Sequence, residues 1–349
     1  MPINLDKNFY LMTVFLPAEI CYLLLFPLRF TPPAGQAKPL PTPQQKDAPY
    51  FFDLDIEFSA VGEREVEVEG TPILLRLQTL DEQVWLAECR YQLADLLDDG
   101  ALRQRQAIQA KLKANFRQET GYNGAFVEEY TIILLHQVEL TPDEFVDSHA
   151  RILARWLRAM PKPPTEIEVN QILGSRARYS QRDLTVVDWG GALIIAEEGD
   201  FQSDIELLKI GNYQLLRYRL LDRTIERNLQ YLRQLLTDAR PWLSGESRTL
   251  QKVVEQRLTL LLDFEKIDQS LLLIGDWYSA QVYRLIVEQF FLTDWKNVVR
   301  LKLDSLAAID EIVRQNLAFS WRRLLDLIQL VGWLILLIGY FILFFANLG

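Results

Sequence analysis

Carboxylates that alternate with apolar residues between Tyr50 and Gly70 are the side chains best placed for chemistry. In FFDLDIEF and EREVEVEG, acidic residues recur at every second position, so the carboxylates of each predicted strand share one face. Opposed carboxylates repel one another, so this face requires solvent or cations. A solvated face is the ordinary outcome, and a divalent-cation site is the alternative, because hard cations take oxygen ligands. The candidate metal ligands are Asp53, Asp55, Glu65 and Glu67.

No other set of residues has the spacing of a catalytic or cofactor site. The chain has two histidines, His136 and His149, and two cysteines, Cys21 and Cys89, whose spacing matches no metal site. Neither histidine stands near a nucleophile motif, and glycine-rich phosphate-binding motifs do not occur. The sequence therefore predicts no catalytic residue, no enzyme activity and no cofactor apart from the divalent cation.

Composition bounds the classes of partner. A formal net charge of −10 argues against a nucleic-acid partner, which requires a concentrated basic surface. A hydrophobic content of 49% is sufficient for a substantial core. The cysteines lie inside apolar runs, which indicates buried thiols in a reducing compartment.

Residues 1–199 predict an α+β domain with a mixed or antiparallel sheet and several helices. Residues 8–30 are apolar enough to suggest a membrane span, but Pro17 and Glu19 favour two buried strands that turn near Pro17. Residues 31–49 are rich in proline, which predicts an extended surface loop. The further elements are hairpins that turn at 60–63, at Asp81-Glu82 and at Trp189-Gly190-Gly191, a basic helix over 101–116, a strand over 129–138, a helix capped by Thr141 and Glu144, and a short helix over 166–173.

Residues 200–326 predict a long helical arm. Helices over 202–239, 247–274 and 278–291 lead into a fourth helix. On this fourth helix Val299, Leu303 and Leu306 open a seam of three- and four-residue steps, which is typical of a coiled coil. Such a seam requires a partner helix, either in the same chain or in another copy.

Residues 327–346 predict one C-terminal transmembrane helix, a tail anchor. The segment is free of charged residues, and a helix of roughly 20 apolar residues covers the hydrocarbon core of a bilayer. Basic residues precede it and none follows it, so the positive-inside tendency places the bulk of the chain in the cytoplasm. The expected location is the bacterial inner or plasma membrane, crossed once.

Small residues recur every seven positions in this segment, at Gly332, Gly339 and Ala346. They share one helix face and let another backbone approach, which predicts self-association into a homo-oligomer. The alternative is that glycine is simply common in membrane helices.

The runs LTVVDWGGALI, DIELLKIGNYQLLRYRLLDRTIERNL and GDWYSAQVYRLIVEQF carry a family resemblance. Over about residues 140–349 the chain resembles an uncharacterised group of bacterial tail-anchored membrane proteins, which is similar in turn to the family required for meiotic nuclear division. This resemblance implies a membrane-anchored, oligomeric organising role without established catalysis. The overall plan is also similar to CorA-type magnesium channels, although their Gly-Met-Asn loop and second span are missing here.

Together these features predict a membrane-anchored scaffold that self-associates through its helical arm and anchor. Its α+β domain would be presented to an unidentified protein partner. The alternative is a divergent CorA-like divalent-cation channel or sensor whose ligands come from the acidic strands.

Overall fold

The computed structural model describes residues 16–28, 38–39, 52–54, 56–136, 138–237, 246–269, 271–274 and 276–346. Its strands are β1 (Ala18–Pro27), β2 (Lys38–Pro39), β3 (Phe52–Leu54), β4 (Phe58–Val68), β5 (Thr71–Leu80), β6 (Val84–Leu93), β7 (Glu128–Leu135), β8 (Arg176–Ala177), β9 (Asp183–Asp188), β10 (Gly191–Ala196) and β11 (Leu271–Ile274). Its helices are α1 (Asp99–Thr120), α2 (Pro142–Ser148), α3 (Ala150–Leu157), α4 (Glu166–Leu173), α5 (Gln202–Thr237), α6 (Glu246–Gln269), α7 (Trp277–Gln289) and α8 (Leu292–Ala346).

Most of the described strands form one mixed sheet in the order β2-β4-β5-β6-β1-β7-β10-β9-β8, and β3 pairs with β11 in a separate two-stranded sheet. Neighbouring strands are antiparallel, except that β7 and β10 run parallel. The central strand β1 lies between β6 and β7. The proline-rich loop was predicted over residues 31–49. Apart from β2, these residues lie outside the part of the chain that the structure describes.

The β1 strand is buried on both faces, which explains its unbroken apolar sequence. Tyr22 and Leu24 belong to the core on one face, and Cys21 and Leu23 are equally buried on the other. A strand covered on both faces appears as a continuous apolar run rather than as an alternation. The prediction of a strand instead of a membrane span is confirmed for Ala18–Pro27. The strand predicted before it lies outside the described residues.

The acidic run contains two strands, β3 and β4, which belong to different sheets and do not form a hairpin with each other. β4 continues through 60–63, where a turn was predicted, and pairs with β5 along its length. The prediction of a turn is wrong because the register shift between Ala60 and Gly62 is absorbed without ending the strand. The turn predicted at Asp81-Glu82 is confirmed, and both residues have left-handed φ values, 51° and 53°, as tight hairpins require.

Helices cover both faces of the sheet. On one face, Arg105 of α1 donates to Thr131 Oγ1 at 2.9 Å and to the carbonyl oxygen of Trp156. On the other face, Lys209 of α5 lies 2.7 Å from Glu88 of β6. The predicted fold class, an α+β domain followed by a helical arm, is therefore corrected. The first half of α5 belongs to the sheet domain, because the second apolar face of the sheet requires its own cover.

The chain divides into two compact units. The sheet unit comprises Met1–Arg219 and Lys266–Lys296, and the helical unit comprises Leu220–Glu265 and Asn297–Gly349. The predicted boundary between domain and arm, at residues 199 and 200, falls just before α5 begins.

The predicted transmembrane helix over 327–346 is corrected. In the part of the chain that the structure describes, no helix is long and apolar enough to cross a membrane. A span requires about 20 consecutive apolar residues, and within 327–346 the longest stretch of α8 with described side chains is 328–340. The tail anchor, the single-pass location in a bacterial membrane and the cytoplasmic orientation depended on that helix alone, and they are corrected with it.

Candidate functional site

A cavity of about 820 Å³ lies at one end of the sheet unit, where β1 and β9 begin and β7 and β10 end. Its volume is within the range of small-molecule sites, about 300–1,000 Å³. Its apolar lining includes Leu16, Leu97, Val138, Leu140, Phe145 and Ile195. Its polar lining includes His136, Glu139, His149, Gln181, Arg182 and Glu197. Both histidines of the chain thus meet at one cavity, although neither the order nor the spacing of the sequence predicted it.

His136 follows β7 and is held from two sides. Its Nε2 lies 3.7 Å from Glu19 Oε2, and its ring packs edge-on against Phe201 with centroids 4.8 Å apart. Its Nδ1 faces Gly199, where an added Cβ would come within 3.0 Å of it, and Gly199 has a left-handed φ of 71°. The glycine therefore serves both the backbone turn and the position of the imidazole.

His149 ends α2, and its local contacts determine its tautomer. Its Nδ1 lies 3.0 Å from the carbonyl oxygen of Phe145. A carbonyl oxygen only accepts, so Nδ1 donates and the uncharged ring keeps a lone pair on Nε2. The Thr141–Glu144 capping box at the other end of α2 is confirmed, with both reciprocal hydrogen bonds present. This short, doubly capped helix orients His149.

The charged residues of the cavity include one ion pair. Arg182 donates to Glu197 Oε1 at 2.7 Å, across the adjacent ends of β9 and β10. Glu139 follows β7 and is exposed. The cavity therefore combines an apolar wall with carboxylates, a guanidinium and two imidazoles.

A second polar feature, the buried ion cluster of Lys209, Glu88, Glu206 and Arg90, joins α5 to the sheet. The Lys209 ammonium lies 2.7 Å from Glu88 Oε2 and 2.8 Å from Glu206 Oε1, and Arg90 donates to Glu88 at 2.6 Å. Burial by itself would raise the pKa of Glu88, but the charges of Lys209 and Arg90 outweigh it and lower that pKa to about 2. The cluster is enclosed by opposite charges, which indicates a structural role.

The lowered pKa of Glu88 predicts a loss of stability in acid. A depressed carboxyl pKa stabilises the fold above the ordinary value of 4.5, and this contribution is lost as the pH falls towards about 2. A shift of this size corresponds to on the order of 3 kcal/mol. Urea unfolding across this pH range measures it. The Glu88→Gln variant should lose stability less steeply than the wild type, and equal slopes would contradict the prediction.

The predicted cation ligands do not come together as a described site. Glu65 and Glu67 are exposed on β4, the side chain of Asp53 is not described, and Asp55 lies outside the described residues. Among the residues that the structure describes, no group of three or more His, Cys, Asp or Glu could hold a metal ion. Cation binding by these four residues stays a prediction.

Ion pairs link the basic helix, α1, to β4 and β7. Arg64 of β4 pairs with Glu119 at 2.5 Å, and Lys111 of α1 pairs with Glu69. Lys113 pairs with Glu129 of β7. These three ion pairs therefore connect α1 with β4, with the turn after β4 and with β7 within the chain.

The predicted helix-association residues fall into two groups. Val299, Leu303 and Leu306 are buried, and neighbouring Lys302 pairs with Asp222 of α5 at 2.6 Å. Their seam is therefore covered by the same chain, which is one of the two alternatives that the sequence left open; the other was a helix of another copy. By contrast, a Cβ added at Gly332 or Gly339 would meet no atom within 4 Å. The side chain of Ala346 is not described.

Comparisons with known proteins match the part of the chain that contains most of the cavity. The family model of the N-terminal domain of uncharacterized protein MJ0711 matches residues 65–202, which include both histidines. The chain is 26% identical over 201 residues to uncharacterized protein MJ0711 of Methanocaldococcus jannaschii. The match covers 58% of this chain and 62% of that protein, which is less than two thirds of the relative's length. No solved structure matches the chain.

The resemblance inferred from sequence patterns is corrected by these matches. The matched domain begins in β4 and ends at α5, whereas the resemblance to tail-anchored bacterial proteins and to the meiotic-division family was placed on residues 140–349. Neither of those families is shown. Apolar helices and glycine hairpins recur in many unrelated folds, so a likeness in hydrophobic pattern does not establish descent.

Proposed function

We propose that this chain is a self-associating scaffold in which the α8 segments of several copies pack together near Gly332 and Gly339. The sheet unit of each copy would then be presented to a protein partner. The proposal is structural and assigns no reaction. The buried seam at Val299, Leu303 and Leu306 serves the fold of each copy and is not part of the proposed contact.

The uncovered apolar surface of α8 supports this proposal. The large apolar side chains described between 328 and 342 are 44–69% exposed, and they include Trp333, Leu336 and Tyr340. Single chains rarely leave an apolar patch of this extent in water, and a helix that is apolar on all sides is ordinarily buried. This segment therefore requires cover from outside the chain.

The two glycines favour a second helix as that cover. Gly332 and Gly339 are one heptad apart, so they lie on the same side of α8. A Cβ added at either glycine would meet no atom within 4 Å. A residue without a Cβ permits close backbone approach, so an identical α8 can pack here while its own apolar side chains cover those beside the glycines.

The test is the mass of the full chain in mild detergent, measured by light scattering over a dilution series. We expect an oligomer, and we expect the paired substitution Gly332→Ile with Gly339→Ile to weaken association by roughly tenfold or more, or about 1.4 kcal/mol. A Cβ added at either glycine meets no atom within 4 Å in one copy, so the fold of each copy should be retained.

A matched control is Gly62→Ile on β4, where an added Cβ also meets no atom within 4 Å. It should leave the oligomer intact. A wild-type monomer, or an oligomer that the paired substitution does not weaken, would refute the proposal. Recovery of the chain as a monomer bound to lipid vesicles would refute it as well, because the cover would then be lipid.

A further inference from the structure

The cavity of the sheet unit has the two surfaces that an amphipathic small molecule requires. Leu97, Phe145 and Ile195 provide apolar wall, and the charged and imidazole groups lie in the same lining. With about 820 Å³ available, the cavity has room for an apolar body and for water around a polar group.

The charges of the lining favour a cation. Glu139 and Glu197 contribute two carboxylates, against the single guanidinium of Arg182. Arg182 and Glu197 already neutralise each other at 2.7 Å. Among the carboxylates and the guanidinium of the lining, Glu139 remains as the unbalanced charge, so a positive group in the cavity gains Coulomb energy that a negative one loses.

The imidazoles add an acceptor to this surface. His149 donates through Nδ1 to the carbonyl oxygen of Phe145, which leaves the Nε2 lone pair of the uncharged ring to accept. An ammonium group carries three donors and no acceptor. It therefore matches a cavity that offers a carboxylate and an imidazole nitrogen.

We propose that this cavity binds a small amphipathic amine, with its ammonium group near Glu139 and His149 and its apolar body against Leu97 and Phe145. The site lies wholly within the sheet unit. It therefore does not depend on association through α8.

The probe is 2-phenylethylamine, compared with 2-phenylethanol and 3-phenylpropionate, which present a similar body with a neutral and an anionic group. The full chain is labelled with ¹³C-histidine, so that its two histidines report directly on the cavity. At constant neutral pH we expect the amine to shift both imidazole signals in a saturable way. The affinities for the alcohol and for the carboxylate should be lower than that for the amine by roughly tenfold or more.

Two variants locate the site. Glu139→Gln, at an exposed position that tolerates the change, should weaken binding of the amine by roughly fivefold or more and remove its preference over the alcohol. Leu140→Trp, at a residue of the lining that is 47% exposed, should block entry. The control Glu288→Gln removes an exposed carboxylate of α7, outside the cavity, and should change nothing.

Three results would overturn the proposal. They are imidazole signals that the amine does not move, tighter binding of the carboxylate than of the amine, and equal binding of the amine to wild type and to Glu139→Gln. Each of these binding measurements can also be made on the Gly332→Ile, Gly339→Ile variant. A failure of amine binding is therefore distinguishable from a failure of self-association.

Discussion

Replacing Lys209 with methionine is expected to lower the free energy of unfolding by about 3–5 kcal/mol. The ammonium group is completely buried between Glu88 and Glu206. Without it, two carboxylates remain close together in the interior with one positive neighbour, Arg90, which contacts Glu88 alone among them. The free-energy cost of a buried carboxylate without a compensating charge is far larger than the cost of the lost hydrogen bonds themselves.

The measurement is urea unfolding of the full chain at neutral pH. The matched control is the double variant Lys209→Met with Glu88→Leu, which removes both members of the closest pair. It should recover most of the lost stability, because apolar replacement of a whole buried pair is often neutral. In that variant Gln202 still donates to Glu206 at 2.6 Å. A loss below about 1 kcal/mol in the single variant would contradict the interpretation of the cluster as structural.

Replacing Gly191 with alanine is expected to cost about 3 kcal/mol, the upper part of the range for overpacking. A Cβ at this residue would lie 2.7 Å from the carbonyl oxygen of Thr131 and 3.0 Å from that of Leu157. Thr131 is the register partner of Gly191 in the parallel pair of β7 and β10. Both obstacles are backbone atoms, so no side-chain rotation relieves the clash.

The change in the urea midpoint measures this effect, provided that the slope with denaturant stays constant. Gly62→Ala is the control, since an added Cβ there meets no atom within 4 Å and Gly62 is not among the described glycines with positive φ. It should shift the midpoint little. Equal midpoints for the two variants would show that the sheet adjusts at Gly191 more readily than the geometry indicates.

Gly191 also has a contact that the local sequence does not predict. The hairpin at Trp189-Gly190 was predicted and is confirmed, with β9 and β10 on either side. The turn alone does not explain why both residues are glycine. Neither has a left-handed φ, and an added Cβ at either would meet the backbone at Leu157. The backbone at Leu157 approaches Gly191 only in the folded protein, so no residue near Gly191 in sequence indicates this contact.

The two histidines make the same point for the candidate site. In sequence they are thirteen residues apart and match no ligand pattern. The structure brings them to one cavity, because β7 ends beside the short helix that carries His149. The available signal was their position, one just after a buried strand and one at the end of a capped helix. Neither position predicts a cavity, because its lining also includes Ile195 and Leu16, which are distant in sequence.

The sequence by itself determined the features that depend on a few neighbouring residues. These include the tight turn at Asp81-Glu82, the cap of α2 and the short helix α4, all of which the structure has where the patterns placed them. Backbone dihedral preferences and capping hydrogen bonds act within one turn of chain, so local sequence is sufficient for them.

Only the tertiary structure decided which surfaces meet. It placed α5 on the second face of the sheet, enclosed Lys209 there and covered the seam at Val299 within the chain. A periodic apolar pattern states that a helix face requires burial, but the same pattern fits a sheet, another helix or a membrane. The choice depends on the packing and charge of elements far apart in sequence, because burial is a property of the whole fold.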